Sequence, residues 1–433
     1  MKKILVAMIM AVLFSGCSKS HKPEVEPTPP NVPVKNYSNK IVLNEAKLTG
    51  DSLNLSWSKL DTPNLIAYTL MRKDNSSSQM TAIKQYLVKD QNSIFDSAVP
   101  YSPSVQYQVV GNLSSGQSIS SNVITYSRPD IKAFDINPFD VLYSDKDDLL
   151  YFFEKSGKIS IYDIQKSQIT KSINTDATIG FCDFGIYNNK KELYVPRNDG
   201  WIFVYDAITL EKITQISIGL SASCIVFNNN NLFVSTAAWT QRPIKVYNRA
   251  TGQKISETGD FELTRFKKIP NTNTELLEIT INIGPVDQDH YAFAADGTFM
   301  NHQDDIYHGD YPLDAGIFEI FPDGNKYITS SSGSIYNRSM IYETSLPRGN
   351  LMFNCFALTQ ADQLIYAGCQ NKNIEVYTMN NYNRVKTIKT NGYPFRIFDY
   401  KGKILSVSKT SKFDNTYYNN NPSSQIVIEL LNK

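Results

Sequence analysis

The residues best suited to chemistry in this chain gather in one short stretch, Asn301-His302-Gln303-Asp304-Asp305-Ile306-Tyr307-His308-Gly309-Asp310. Imidazoles and carboxylates are common ligands of divalent cations, and a site needs three or four of them converging with fixed geometry. His302 and His308 with one neighbouring aspartate would supply such a set. The stretch follows no familiar ligand spacing, however, and reads as a solvated polar insertion between two repeats, so neither a metal nor another cofactor is expected. Catalysis by a nucleophile finds no better footing. The chain contains no G-x-S-x-G, no H-E-x-x-H and no glycine-rich phosphate loop running from strand to helix, and no Ser-His-Asp arrangement can be singled out. Of five cysteines, Cys182, Cys224 and Cys355 fall at similar places in matching repeats and, with Cys369, read as small buried residues rather than a disulfide framework.

The fifth cysteine has a different setting. Lys2 and Lys3 precede an apolar run from Ile4 to Phe14, eleven residues where a bilayer span needs roughly 20, which is the pattern of a signal peptide. The run ends in Leu13-Phe14-Ser15-Gly16-Cys17, which resembles the lipobox of bacterial lipoproteins, with Leu one place further upstream than the commonest pattern. That resemblance implies that Cys17 is acylated, becomes the mature N-terminus and ties the protein to a membrane, with the outer membrane of a bacterial envelope as the expected address. Residues 18–35 hold five prolines and almost nothing apolar, and read as a semi-rigid extended tether. Ser18-Lys19-Ser20-His21-Lys22 lacks the acidic run that some such proteins use for surface export, so the side of the membrane is left open. Lys plus Arg total 43 against 42 Asp plus Glu, a balance with no long-range field to draw in nucleic acid.

Two all-β units follow from the periodicity. Between 36 and 129, apolar residues alternate at period two: Leu53, Leu55 and Trp57, then Ile66, Tyr68 and Leu70, then Phe95, Tyr107 and Val109, with turn residues between the runs. The order L-x-L-x-W, Y-x-L, F-D, Y-x-V resembles the fibronectin type III domain, which implies a small β-sandwich with Trp57 in its core.

Residues 130–433 carry a repeat. KISIYDIQKSQIT, WIFVYDAITLEKIT, PIKVYNRATGQKI and NIEVYTMNNYNRVKTI each end an alternating strand on a tyrosine, then turn into a second short strand. The anchors Tyr162, Tyr205, Tyr247 and Tyr377, with Tyr291, Tyr342 and Ile428 in weaker units, repeat at a period of about 40–45 residues, the mark of a β-propeller blade with four short strands. Seven units fit the length best. The spare segment 132–136 is expected to pair with the last unit and close the ring. The pattern V-Y-D-x-x-T-x-x-K-I, with glycine at the next entrance as in Ile218-Gly219 and Asn391-Gly392, resembles the YVTN or YncE-like seven-bladed propellers, related in repeat style to quinoprotein propellers.

In a propeller, the loops between second and third strands share one face with the connections between blades, and that face is the default binding surface. Arg197, Asn198, Trp239, Gln241, Arg242, Gln370, Tyr417 and Tyr418 are the residues expected on it. Aromatics and amides there suit a protein or glycan partner, because the rings supply contact area and Arg and Asn supply directed hydrogen bonds. The expected function is thus a lipid-anchored envelope binding or assembly protein, without catalysis. The alternatives are a propeller enzyme, either a metal-dependent hydrolase or a quinone-dependent dehydrogenase, and a structural subunit of an outer-membrane complex.

Overall fold

The computed structural model describes residues 39–272, 274–413 and 424–433. Cys17, the proline-rich tether, Tyr417 and Tyr418 lie outside the described residues. Every regular element among the described residues is a strand.

The first unit is two sheets over a shared core. Strands Lys47–Thr49, Ser52–Ser56 and Ser93–Asp96 make a three-stranded sheet, and Leu65–Asp74 with Ser104–Leu113 centres a five-stranded one. Alternation puts Leu53, Leu55, Tyr68, Leu70, Val105, Tyr107 and Val109 inside, where Trp57 packs edge-on against Tyr68 at 5.5 Å between centroids. Ile66 departs from the expectation. The register slips between Leu65 and Ala67 against the Ser104–Leu113 strand, so Ala67 and Tyr68 turn inward and Ile66 is left exposed. Phe95 is exposed for a simpler reason: its neighbour Asp96 takes the inward position, accepting from Tyr107 Oη at 2.7 Å and pairing with Arg72 at 2.8 Å.

Seven antiparallel sheets follow, which we call blades 1 to 7: 140–174, 183–217, 222–258, 264–304, 318–345, 353–389 and 393–432. Six have four strands in sequence order and the last has three. Their second strands read as continuous apolar runs (Leu193-Tyr194-Val195, Leu232-Phe233-Val234) because both faces are covered by neighbouring blades. Leu193 and Val195 pack toward blade 1 while Tyr194 packs toward blade 3. The same sharing runs around the whole ring: blades 3 and 4 meet through Phe233 and Leu276, 4 and 5 through Leu277 and Phe318, 5 and 6 through Ile335 and Phe353, and 6 and 7 through Val376 and Ile397. Blades 7 and 1 close it through Leu405 and Val407 against Leu150 and Phe152. The architecture is therefore a β-propeller.

Closure is reinforced at the missing fourth strand of blade 7. Phe134 and Ile426 exchange both backbone hydrogen bonds, at 2.8 and 2.9 Å, as a single antiparallel bridge, and the Phe134 ring packs edge-on against Tyr162 of blade 1. Most of the repeat tyrosines sit where the third strand slips against the fourth, at Tyr162, Tyr205, Tyr247 and Tyr377. In blade 5 that place belongs to Tyr336, not Tyr342, which lies on the fourth strand and stacks on Tyr311 instead. Its strands are short, three to four residues, which is why the spacing misled by one strand.

Candidate loop face and central channel

The second-to-third-strand loops lie on one face, and the first unit is docked over part of it. Tyr101 N donates to Thr410 O at 2.9 Å, Lys372 Nζ to Val99 O at 3.3 Å, and Ser102 Oγ to Gln425 Oε1 at 3.3 Å. These contacts cover the loops of blades 6 and 7. Gln370, two residues from Lys372, is half-buried beside that cover. What stays open is the side over blades 2, 3 and 4.

The expected residues divide accordingly. Arg197 is only 7 % exposed: its guanidinium pairs with Asp199, donates to Thr175 O and lies 3.8 Å over the Phe203 ring, so it shapes the loop and is not presented to a partner. Asn198 is exposed. Trp239 is 80 % exposed, on a loop that also presents Gln241 and Arg242. At that exposure the indole is not packed between blades. Arg242 holds a left-handed backbone, φ 54°, which re-aims the chain before Pro243 enters blade 3. Beside this loop lies a mostly apolar depression of about 340 Å³ lined by Lys155, Thr178, Ile179, Asn198, Ala237 and Leu263 among others.

The channel below was not anticipated. Inner strands contribute Asp140 from blade 1, Arg265 from blade 4 and Arg396 from blade 7. Asp140 receives Arg396 at 3.0 Å and Arg265 at 3.3 Å, so one carboxylate ties three blades across the axis. Burial alone would raise the Asp140 carboxyl, but the two guanidiniums override it and hold it below the ordinary range. Against this tie, a cavity of about 260 Å³ is lined by Asp140, Cys182, Cys224, Arg265, Lys267 and Glu319 among others. Lys155 sits 4.0 Å over the Phe139 ring, and Lys409 lies over Phe395 and Phe413; burial brings both ammonium groups down to about 8. The sequence signal for this set was a lone charge inside an apolar inner strand, as in PFRIF and FDVLY. Among the described residues the four cysteines, Cys182, Cys224, Cys355 and Cys369, are buried, unpaired and raised in pKa by that burial.

His302 and His308 are not brought together. His302 is on the fourth strand of blade 4 and bonds Asp289, whereas His308 is exposed in the connection to blade 5.

No family model matches the chain, and no curated protein does. Among solved structures, it is similar to the crystal structure of RRP9 WD40 repeats: TM-score 0.51 at 10% identity, over 70% of this chain and 97% of that one. The likeness is one of fold, a WD40-like β-propeller.

Proposed function

We propose that this chain is a non-catalytic binding module of a bacterial envelope, held by a lipid on Cys17, that presents the open side of its propeller loop face to a protein or glycan partner. The observation carrying the reading is Trp239: 80 % exposed, flanked by Gln241 and Arg242, on a loop whose Ala237 lines a mostly apolar depression with Ile179, Leu263 and the polar Asn198 and Lys155. Aromatic area beside directed polar groups is the chemistry of sugar stacking and of interface hot spots. The first unit, read as fibronectin type III-like, sets the distance and tilt of that face and caps blades 6 and 7. Ring closure without a fourth strand from outside, and the YncE-like repeat style, fit a self-contained module. The signal-like N-terminus and Leu13-to-Cys17 pattern support the anchoring.

Tryptophan fluorescence tests it. Trp57 is buried and Trp201 half-buried, so Trp239 is the indole most open to a ligand. Titration with envelope glycans and with peptides from co-purifying envelope proteins is expected to shift the emission with a saturable midpoint that Trp239→Ala removes. Ligands that bind Trp239→Ala equally well would sink the assignment of this face.

A further inference from the structure

Five carboxylates are buried within the described blades: Asp140, Glu192, Glu278, Asp289 and Glu375. Three of them face an arginine. Asp140 has Arg265 and Arg396, Glu192 holds Arg249 through both oxygens at 2.7 and 2.8 Å, and Glu375 pairs with Arg384. Glu278 and Asp289 face each other instead, directly opposite on neighbouring strands of blade 4. Like charges in that register repel, and burial leaves little solvent to screen them. In the other blades, the place of Glu278 is filled by apolar residues such as Val195 and Val234, so packing does not call for an acid there.

Around Asp289 the deficit of positive charge continues. His302 Nε2 is 3.0 Å from Asp289 Oδ1 and 3.1 Å from Asp304 Oδ1, and Asp260, on the connection from blade 3, brings a third carboxylate. One donor atom each from Asp260, His302 and Asp304 lies within 4.8 Å of the others. The imidazole is held in place by stacking flat on Tyr291, with centroids 4.6 Å apart and planes at 4°. Behind it, Asp289 is 1 % exposed, and its second oxygen, Oδ2, has no hydrogen-bond partner. A buried carboxylate oxygen without a partner costs free energy that a native structure usually recovers from some ligand.

We infer that Asp260, His302 and Asp304, backed by Asp289, form a binding site for a divalent first-row cation such as Zn²⁺ or Mn²⁺. The cation takes the place of the proton that His302 Nε2 shares with two carboxylates, and it supplies the positive charge that arginines supply to the other buried acids. One imidazole nitrogen with oxygens on the remaining sides suits a borderline cation, whereas Ca²⁺ prefers six to eight oxygens and gains little from an imidazole. Because Asp260 comes from the inter-blade connection and the other residues from blade 4, the ion would pin that connection to the sheet's outer strand.

The test is calorimetric titration of the EDTA-treated full chain with ZnCl₂, MnCl₂ and CaCl₂. The expected result is one Zn²⁺ or Mn²⁺ per chain, at least tenfold tighter than Ca²⁺, weakened at least tenfold by His302→Gln and by Asp260→Asn. Asp260 is exposed on a loop, so its variant folds even if loss of the His302 stacking does not allow the other to fold. The Asp260 variant also separates this site from adventitious binding by the buried thiols. No saturable binding of either transition cation, or binding unchanged in Asp260→Asn, would overturn the proposal.

Discussion

Replacing Asp140 with alanine is the perturbation that reaches most of the ring at once. The side chain is 2 % exposed and accepts from guanidiniums of blades 4 and 7, so its loss strands two buried cations without the charge that balanced them. Removing one partner of a buried ion pair costs about 3–5 kcal/mol, because the remaining charge stays desolvated. Arg265 keeps Ala315 O at 2.9 Å and Phe181 at 4.2 Å, which places the cost at the lower end of that range and not at zero. At roughly 2 °C per kcal/mol for a unit of this size, the melting temperature is expected to fall by about 6 °C. The pH dependence has a fixed sign. The folded carboxyl lies below its unfolded value, so the stabilisation is fully present above about pH 4, the unfolded carboxylate value, and disappears as pH falls through the folded one. Urea unfolding of wild type and Asp140→Asn, which removes the charge at constant size, is therefore expected to show a gap at pH 7 that narrows below pH 4. A gap under about 0.5 kcal/mol at pH 7, the size of an ordinary surface change, would refute the three-blade tie.

Other outcomes follow from particular contacts. A Cβ on Gly180 would lie 2.1 Å from the Ser223 carbonyl oxygen, so Gly180→Ala is expected to cost about 1–3 kcal/mol or more in thermal unfolding, where an ordinary Gly→Ala change would be neutral or stabilising. Phe134→Pro removes the donor to Ile426 O, and with it a packed ring against Tyr162; a loss of about 2–4 kcal/mol is expected, and unchanged stability would show that this bridge does not hold the ring. Cys224, Cys355 and Cys369 thiols are pushed to about 12 by burial and Cys182 is raised further, so a Cys17→Ser chain is expected to give no reaction with a thiol reagent at pH 8 until unfolded, and then four equivalents.

The sequence made the ring legible because its strongest signal, a tyrosine ending the third strand, reports a recurring local geometry: the slip that lets strand three turn into strand four. Where a blade is built from shorter strands, as around Tyr336, the period alone could not choose between neighbouring strands. The loop residues were also placeable, since loop position follows from strand order. What the sequence did not show was which of them another part of the chain uses. Arg197 is drawn inward by Asp199 and Phe203, and Gln370 sits beside the docked first unit; both depend on contacts made at a distance. The Asp140 tie joins residues up to 256 apart, and the grouping of His302 with Asp260 depends on two blades meeting side by side. Neither spacing has a period to reveal it.

The most direct test of the binding face is site-specific photocrosslinking in the native envelope, with p-benzoylphenylalanine in place of Trp239 or of Ile208. Ile208 is 44 % exposed on a loop between third and fourth strands, on the opposite face of the ring. The expected result is a discrete crosslinked partner from position 239 and none from position 208. Equal crosslinking from both positions, or a partner captured only at 208, would contradict the assignment of binding to the Trp239 side of the loop face.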